Sequence, residues 1–334
     1  MTSDPRLQLW GLINGFQITQ AIHVASTLRV ADHLNDGALP LGELATLTSS
    51  HPDSLYRLLR ALAAVGVFRE DEGQTFALTP MADCLRADSP ASIGAWAEVV
   101  GSPYFWQAWG HLLYSVRTGE NAFENLNGKD VWRFRAEHPE YGATFDRAMT
   151  QHSRGSAEAV IRAYDFSAFR HVVDVGGGQG LLLSAILAAH PHMRGTLFDQ
   201  ANVVTRAGAV LSECGVIKRC DIVAGSFFEA VPEGADAYLM RVIIHDWEDD
   251  EAVAILKTCR RAFRETAKLL LIERLVGPPY EMPATKFSDL NMLVSPGGRE
   301  RTREEYSALL AKAGFELTDV FPAGIFNVIE AQPR

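Results

Sequence analysis

Apolar positions along the chain change their spacing once, near residues 165–171. Before that point the pattern is helical. From Asp53, the run DSLYRLLRALAAVGVF sets Leu55, Leu58, Leu59 and Leu62 on one helical stripe. Asp53 or a neighbouring polar residue can cap its start, and Gly66 can stop it. VGVFRE and QTFALT follow as two short strands around the turn signal DEGQ, and LGELATLTSS supplies an earlier helix and turn. Helix, helix, hairpin is the outline of a winged helix-turn-helix. After the change, strand and helix alternate. Strands are predicted at 171–176, 195–199, 221–225, 237–244 and 268–275, with helices at 180–189, 201–214, 249–264 and 303–313. Strands this rich in Val, Leu and Ile imply a parallel sheet covered on both faces. Two late segments, FELTDVF and FNVIEAQ, would pair as an antiparallel hairpin at the sheet edge. The expected fold is α/β: a Rossmann-like, mostly parallel sheet with an antiparallel edge hairpin, preceded by a mostly helical winged-helix domain.

Composition narrows the setting. The 334 residues are 47% hydrophobic and 22% charged, near the average for globular proteins, which excludes a disordered or fibrous chain. The length suits about two domains. A net charge of −10 repels phosphate backbones and anionic lipid headgroups, so neither nucleic acid nor a membrane is an expected partner. No apolar run reaches the roughly 18–20 residues that span a bilayer. The opening MTSDPRLQLWGLINGFQITQ lacks a basic leader and reads as a helix rather than a signal peptide. Cys84, Cys214, Cys220 and Cys259 show no zinc spacing and read as reduced thiols of a cytoplasmic protein.

VVDVGGGQGLLLSAIL offers an apolar strand, a glycine cluster and an apolar helix. Glycines let such a turn be sharp and let a ligand approach the backbone. Asp174 ends the strand. Asp199 ends the next strand, facing the crevice, where a carboxylate can accept from two ribose hydroxyls. Gly176, Gly178 and Gly180 give GxGxG, whereas a dinucleotide fingerprint requires glycine where Leu181 stands. A nucleoside cofactor with an amino-acid arm fits that spacing; so does a tight turn with no ligand.

Beyond the fourth strand, VIIHDWEDDEA places His245 and Asp246 at the ligand-binding edge of the sheet. Glu273 lies inside the apolar strand KLLLIERLV, where a carboxylate is costly to bury without a partner. Glu300 lies in the loop PGGRERT. It reads either as a solvated cap of the helix beginning near Thr302 or as an acid folded back over the crevice. In the second case Glu273 and Glu300 would hold one imidazole in a fixed tautomer and raise its basicity.

VVDVGGGQG, FD at 198–199, GSFF at 225–228, HDW at 245–247, the Glu of LLIERL and PGGRERT occur in the order and spacing of one family. Together they resemble the S-adenosylmethionine-dependent small-molecule O-methyltransferases, which include plant caffeate and flavonoid enzymes and bacterial natural-product enzymes. The resemblance implies a class I methyltransferase domain over 166–334, a winged-helix dimerisation domain over 1–100 and a helical linker over 101–165 that contributes to the acceptor pocket. It implies S-adenosylmethionine as cofactor, no metal, a homodimer and a small aromatic acceptor. Asp174, Gly176, Gly178 and Gly180 would cradle the methionine arm, Asp199 the ribose, and Ser226 and Phe227 the adenine, with Arg241 nearby. His245 would be the general base, flanked by Glu273 and Glu300. Trp106 or Trp109, Phe145, Met149, Asn291 and Met292 would line the acceptor pocket, although large apolar side chains at these positions equally suit core or dimer packing. Ser226 and Arg241 stand where many members carry Asp and Lys. A winged-helix regulator is the rival reading, but Glu43, Asp53, Glu70, Asp71, Glu72, Asp83 and Asp88 outnumber Arg57, Arg60, Arg69 and Arg86 there, and a nucleic-acid surface should be basic. C- or N-methylation, or a repurposed chemistry on the same cofactor, are the closer alternatives.

Overall fold

The computed structural model describes residues 4–334 and divides into two units, one of residues up to 106 with 140–151, the other of residues 107–139 with 152–334. In the first unit, helices Pro5–Ile13, Gly15–Thr27, Val30–His33, Leu41–Leu47 and Pro52–Ala64 precede a hairpin. Strands β1 (Leu39–Pro40), β2 (Phe68–Asp71) and β3 (Thr75–Leu78) form an antiparallel sheet in the order β1-β3-β2. The helix-helix-hairpin outline is therefore present. Leu55, Leu59 and Leu62 point into a core with Leu44, Phe68 and Phe76, while Leu58 is only half-buried. Helix Pro52–Ala64 starts two residues earlier than a cap at Asp53 would place it: Pro52 occupies the first turn and the neighbouring His51 is the cap, its Nδ1 accepting from Ser54 N. Proline is favoured there because its missing N–H would be unpaired anyway.

The second unit is built on seven strands: β4 (His171–Val175), β5 (Arg194–Asp199), β6 (Cys220–Ala224), β7 (Ala237–Arg241), β8 (Lys268–Glu273), β9 (Phe315–Ala323) and β10 (Phe326–Pro333). Their order is β6-β5-β4-β7-β8-β10-β9, parallel from β6 to β8 and antiparallel thereafter. The chain builds outward from β4 in one direction and resumes at β7 in the other. This reversal opens a crevice at the carboxyl ends of β4 and β7, where such sheets bind ligands. Val173, Val175, Tyr238, Leu239, Leu270 and Leu271 fill the two cores on either face.

Two predicted elements end differently. The strand expected over 237–244 stops at Arg241, because Val242 takes φ +56°, a conformation costly for a β-branched residue. The chain then makes a short turn of 3-10 helix, Ile244–Asp246. The helix expected over 201–214 breaks into Ala201–Val204 and Ala207–Glu213. Val203, Val204 and Thr205 form a β-branched run at the break, and such residues lose side-chain freedom in a helix.

Candidate active site

The crevice is lined first by the loop after β4. Gly176, Gly178 and Gly180 have φ of +71°, +61° and +83°, which L side chains rarely adopt. A Cβ at Gly176 would also collide with the Ile243 side chain, whereas one at Gly178 would meet only open space. The loop is tied to the neighbouring strand: Gly176 N donates to Phe198 O at 2.8 Å, and Gly178 N donates to Asp199 Oδ2 at 2.8 Å. Asp199 Oδ1 accepts from Gln200 N at 2.7 Å. Burial raises the Asp199 carboxyl, and these two amides work against it. Asp174 is buried with neither carboxylate oxygen hydrogen-bonded. Burial, and then the Asp199 charge, push it up to about 7.

The other cofactor residues divide. Phe227 packs edge-on against Trp247 and lies beside the glycine turn. Ser226 Oγ accepts from Phe228 N at 3.3 Å, so its hydroxyl serves its own turn. Arg241 is held from helix Pro139–Ala163: Nη1 donates to Ser153 Oγ, and Nη2 to Ser156 Oγ, both at 2.9 Å. Its Nε is buried without a partner. Burial lowers this guanidinium to about 10, with Asp174 and Glu273 opposing.

His245 follows the strained residue Val242 and is 3% exposed. Its Nδ1 lies 3.0 Å from Glu300 Oε1, and its Nε2 lies 3.4 Å from Asp246 Oδ1. One ring nitrogen and one oxygen each of Glu273 and Glu300 lie within 4.8 Å of one another. Burial alone would lower the imidazole, but the charges of Asp246, Glu273 and Glu300 and the Glu300 hydrogen bond raise it, to about 9. Burial raises Asp246 to about 6 and Glu273 to about 7.

The capping alternative for Glu300 is not what forms. Thr302 caps helix Arg303–Lys312 with Glu305 in a reciprocal box, leaving Glu300 free to turn inward. Gly298 makes this turn possible, since a Cβ there would collide with the His245 carbonyl. Arg301, fully buried, then donates to Ile244 O and Trp247 O on either side of the base.

Glu273 differs from the expectation that it grips the imidazole. Its Oε1 accepts from Ile243 N at 3.1 Å and from Ile244 N at 2.9 Å, and Oε2 has no partner. The carboxylate therefore pins the turn that follows Val242. Glu273→Ala would strand two buried amides, at about 1–3 kcal/mol each, whereas Glu273→Gln keeps an accepting oxygen. Urea denaturation is expected to show a loss of roughly 2–6 kcal/mol for alanine and far less for glutamine.

Among the acceptor residues, Asn291 Oδ1 accepts from Trp109 Nε1 at 3.1 Å, and Met292 is buried on the same helix, Pro283–Val294. Trp109 is thus the tryptophan that meets Asn291. Trp106, Phe145 and Met149 belong to the first unit, each half-buried, on helices Pro103–Gly110 and Pro139–Ala163. Sequence reasoning placed Asp246 beside the base without giving it a role, and did not single out Arg274, Ser288 or Arg301. Only adjacency to Glu273 or Glu300 could have pointed to Arg274 and Arg301.

Residues 109–316 match the model of an O-methyltransferase domain, and residues 10–88 that of an O-methyltransferase dimerisation domain. The chain is 42% identical over 324 residues to the phenazine O-methyltransferase PhzM of Lysobacter antibioticus, covering 96% of this chain and 94% of that one. It is 40% identical to a mitomycin biosynthesis 6-O-methyltransferase of Streptomyces lavendulae, covering 94% and 90%. The crystal structure of LaPhzM superposes with a TM-score of 0.96 at 40% identity, over 99% of this chain and all of that one. An O-methyltransferase of neocarzinostatin biosynthesis, solved with S-adenosylmethionine and 2-hydroxy-5-methyl naphthoic acid, superposes with a TM-score of 0.81 at 35% identity, over 95% and 96%. More distant matches include an 8-amino-8-demethylriboflavin N,N-dimethyltransferase of Streptomyces davaonensis (35% identical, 95% and 92%) and the aclacinomycin 10-hydroxylase RdmB of Streptomyces purpurascens (36%, 91% and 83%). The chain belongs to the S-adenosylmethionine-dependent O-methyltransferases that carry an N-terminal dimerisation domain.

Proposed function

We propose that this enzyme methylates a hydroxyl of a small aromatic natural product, with His245 as the general base. The observation that carries the reading is the buried imidazole whose Nδ1 is engaged by Glu300. With Nδ1–H donated to that carboxylate, Nε2, which lies 3.4 Å from Asp246 Oδ1, is the nitrogen that takes up the proton. A phenol has a pKa near ~10 and is a weak nucleophile at neutral pH. The surrounding carboxylates raise the imidazole's basicity toward that of a phenol, and Glu300 steadies the imidazolium that results when it takes the phenolic proton. Glu273 works one step back, by holding the turn that carries the base.

The cofactor fits the residues present. A buried carboxylate with two unpartnered oxygens, Asp174, faces a glycine loop where a side chain at Gly178 would meet nothing. Asp174 and Gly176, Gly178 and Gly180 would hold the methionine arm, Asp199 the ribose, Phe227 and Ser226 the adenine, with Arg241 close by. When bound, S-adenosylmethionine supplies a methyl group already activated on a sulfonium. The reading gives no metal a role, because a sulfonium already activates its methyl group and a base suffices at the acceptor oxygen.

The remaining assignments extend this reading. Residues 1–100 serve dimerisation, 101–165 link and help form the acceptor pocket, and 166–334 bind the cofactor. Leu7, Trp10, Leu12, Ile13 and Phe16 are more than half exposed on the first two helices, which suits burial in a homodimer. Among the described residues no helix is long and apolar enough to cross a membrane. The four cysteines are free, which suits a cytoplasmic setting.

Incubation with methyl-labelled S-adenosylmethionine and a panel of phenolic, anilinic and carbon-nucleophile aromatics tests the reading, with product mass and methyl position as readout. O-methylation of a phenol, unchanged by a chelator, is expected. Labelling of nitrogen or carbon alone would turn the reading to N- or C-methylation, the former represented by the dimethyltransferase, and no labelling of any acceptor would turn it to a repurposed chemistry such as the hydroxylase's.

A further inference from the structure

Glu300 does not serve His245 alone. The same oxygen that takes the imidazole, Oε1, accepts from Ser288 Oγ at 2.7 Å and lies 3.6 Å from Arg274 Nη1. Arg274 Nη1 also donates to Ser288 Oγ at 3.2 Å, closing a triangle of guanidinium, hydroxyl and carboxylate. The arginine is placed by the sheet. β10 runs antiparallel to β8 with Asn327 opposite Glu273, so Phe326 falls beside the residue after Glu273. The Arg274 guanidinium stands 5.0 Å from the Phe326 ring centre, and that of Arg241 stands at the same distance. Two cations on one ring repel, and this favours the Arg274 charge leaning toward Glu300.

We propose that Arg274 is a positioning residue of the reaction: by sharing the Glu300 carboxylate with His245, it sets how firmly that carboxylate holds the imidazolium and so the pH at which the base becomes available. The proposal rests on the reading of His245 as base. Other charged and titratable groups surround the pair. Asp246 lies on the base's own turn, Glu273 on β8, Asp289 on helix Pro283–Val294, and Tyr306 on helix Arg303–Lys312, while Arg301 adjoins Glu300. Arg135 acts on Asp246, and His152 lies near Arg241, Arg274 and His245. Of these groups, Arg274 is the cation held against the oxygen that receives the imidazole. Its removal leaves more of the carboxylate's charge to the ring, which favours the protonated ring. The midpoint must therefore rise.

The test is the titration of the His245 Cε1–H resonance in full-length enzyme labelled at histidine Cε1, assigned by its absence in His245→Gln. This readout needs no acceptor. Arg274→Met is expected to raise the midpoint by about half a unit or more, and Arg274→Lys to bring it back toward wild type. Ser288→Ala removes the hydroxyl donor from the same oxygen and is expected to shift the midpoint the same way, which keeps the proposal testable if Arg274→Met does not fold. A midpoint unmoved in both the Met and Ala variants would overturn the proposal, as would a ring that does not titrate between pH 6 and 10 in the wild type. Turnover retained in His245→Gln with the acceptor found by labelling would instead overturn the assignment of the base, whatever Arg274 does to the ring.

Discussion

Replacing His245 with alanine is expected to lower turnover by about 10²–10⁴-fold while leaving S-adenosylmethionine affinity nearly unchanged. The separation follows from where the contacts lie. The ring meets Glu300 and Asp246, whereas the glycine loop is tied to Phe198 and Asp199. Because His245 is buried, alanine also leaves a cavity and deprives Glu300 of one donor. Ser288 and Arg274 still face that carboxylate, so it is not abandoned. His245→Asn separates the two effects, since its amide can still donate to Glu300 but cannot take a proton near neutral pH. Single-turnover rates with labelled cofactor, beside calorimetric affinity, provide the check. An asparagine variant within tenfold of wild type would remove the base from the reaction.

Asp199→Ala is expected to weaken cofactor binding by roughly a hundredfold, with a smaller effect on the rate at saturation. Two hydrogen bonds from ribose hydroxyls to a charged acceptor, at about 1.5 kcal/mol each, amount to about two decades in affinity. The present geometry leaves room for them. Each Asp199 oxygen accepts one amide, from Gly178 or from Gln200, and a carboxylate oxygen has a second lone pair to offer. The same substitution frees Gly178 N, so the loop itself loosens. Isothermal titration with S-adenosylhomocysteine decides the matter, and unaltered affinity would refute the ribose contact.

Much of this site could be read before any coordinates. Alternating strand and helix periods predict a parallel sheet, and the ends of predicted strands place Asp174, Asp199 and His245 at one edge. Local pattern fails where a tertiary partner decides. Nothing in VIIHDW announces that Val242 takes a positive φ, because the conformation is stabilised by a carboxylate 30 residues away, through the Ile243 and Ile244 amides. For the same reason the sequence shows Glu273 only as a flank for the imidazole, and not that it also clamps the backbone of the turn. Arg274 was invisible because its meaning comes from Ser288, on a later helix, and from Phe326, on a strand near the end of the chain. The Glu300 ambiguity had a local solution: Thr302 and Glu305 form the S/T-x-x-E capping box in sequence, which leaves the preceding acid without a capping task.

β10 is flanked on both sides, by β8 and by β9, and its register sets Asn327 against Glu273. This late strand, Phe326–Pro333, is thus an interior plank of the platform. During synthesis the nascent chain can assemble the nucleoside half early, but the arginine beside Glu300 has no aromatic seat until Phe326 emerges from the ribosome. A product that stops before β10 would leave the edge of β8 bare and invite pairing with other chains, so loss of this strand threatens solubility as well as catalysis.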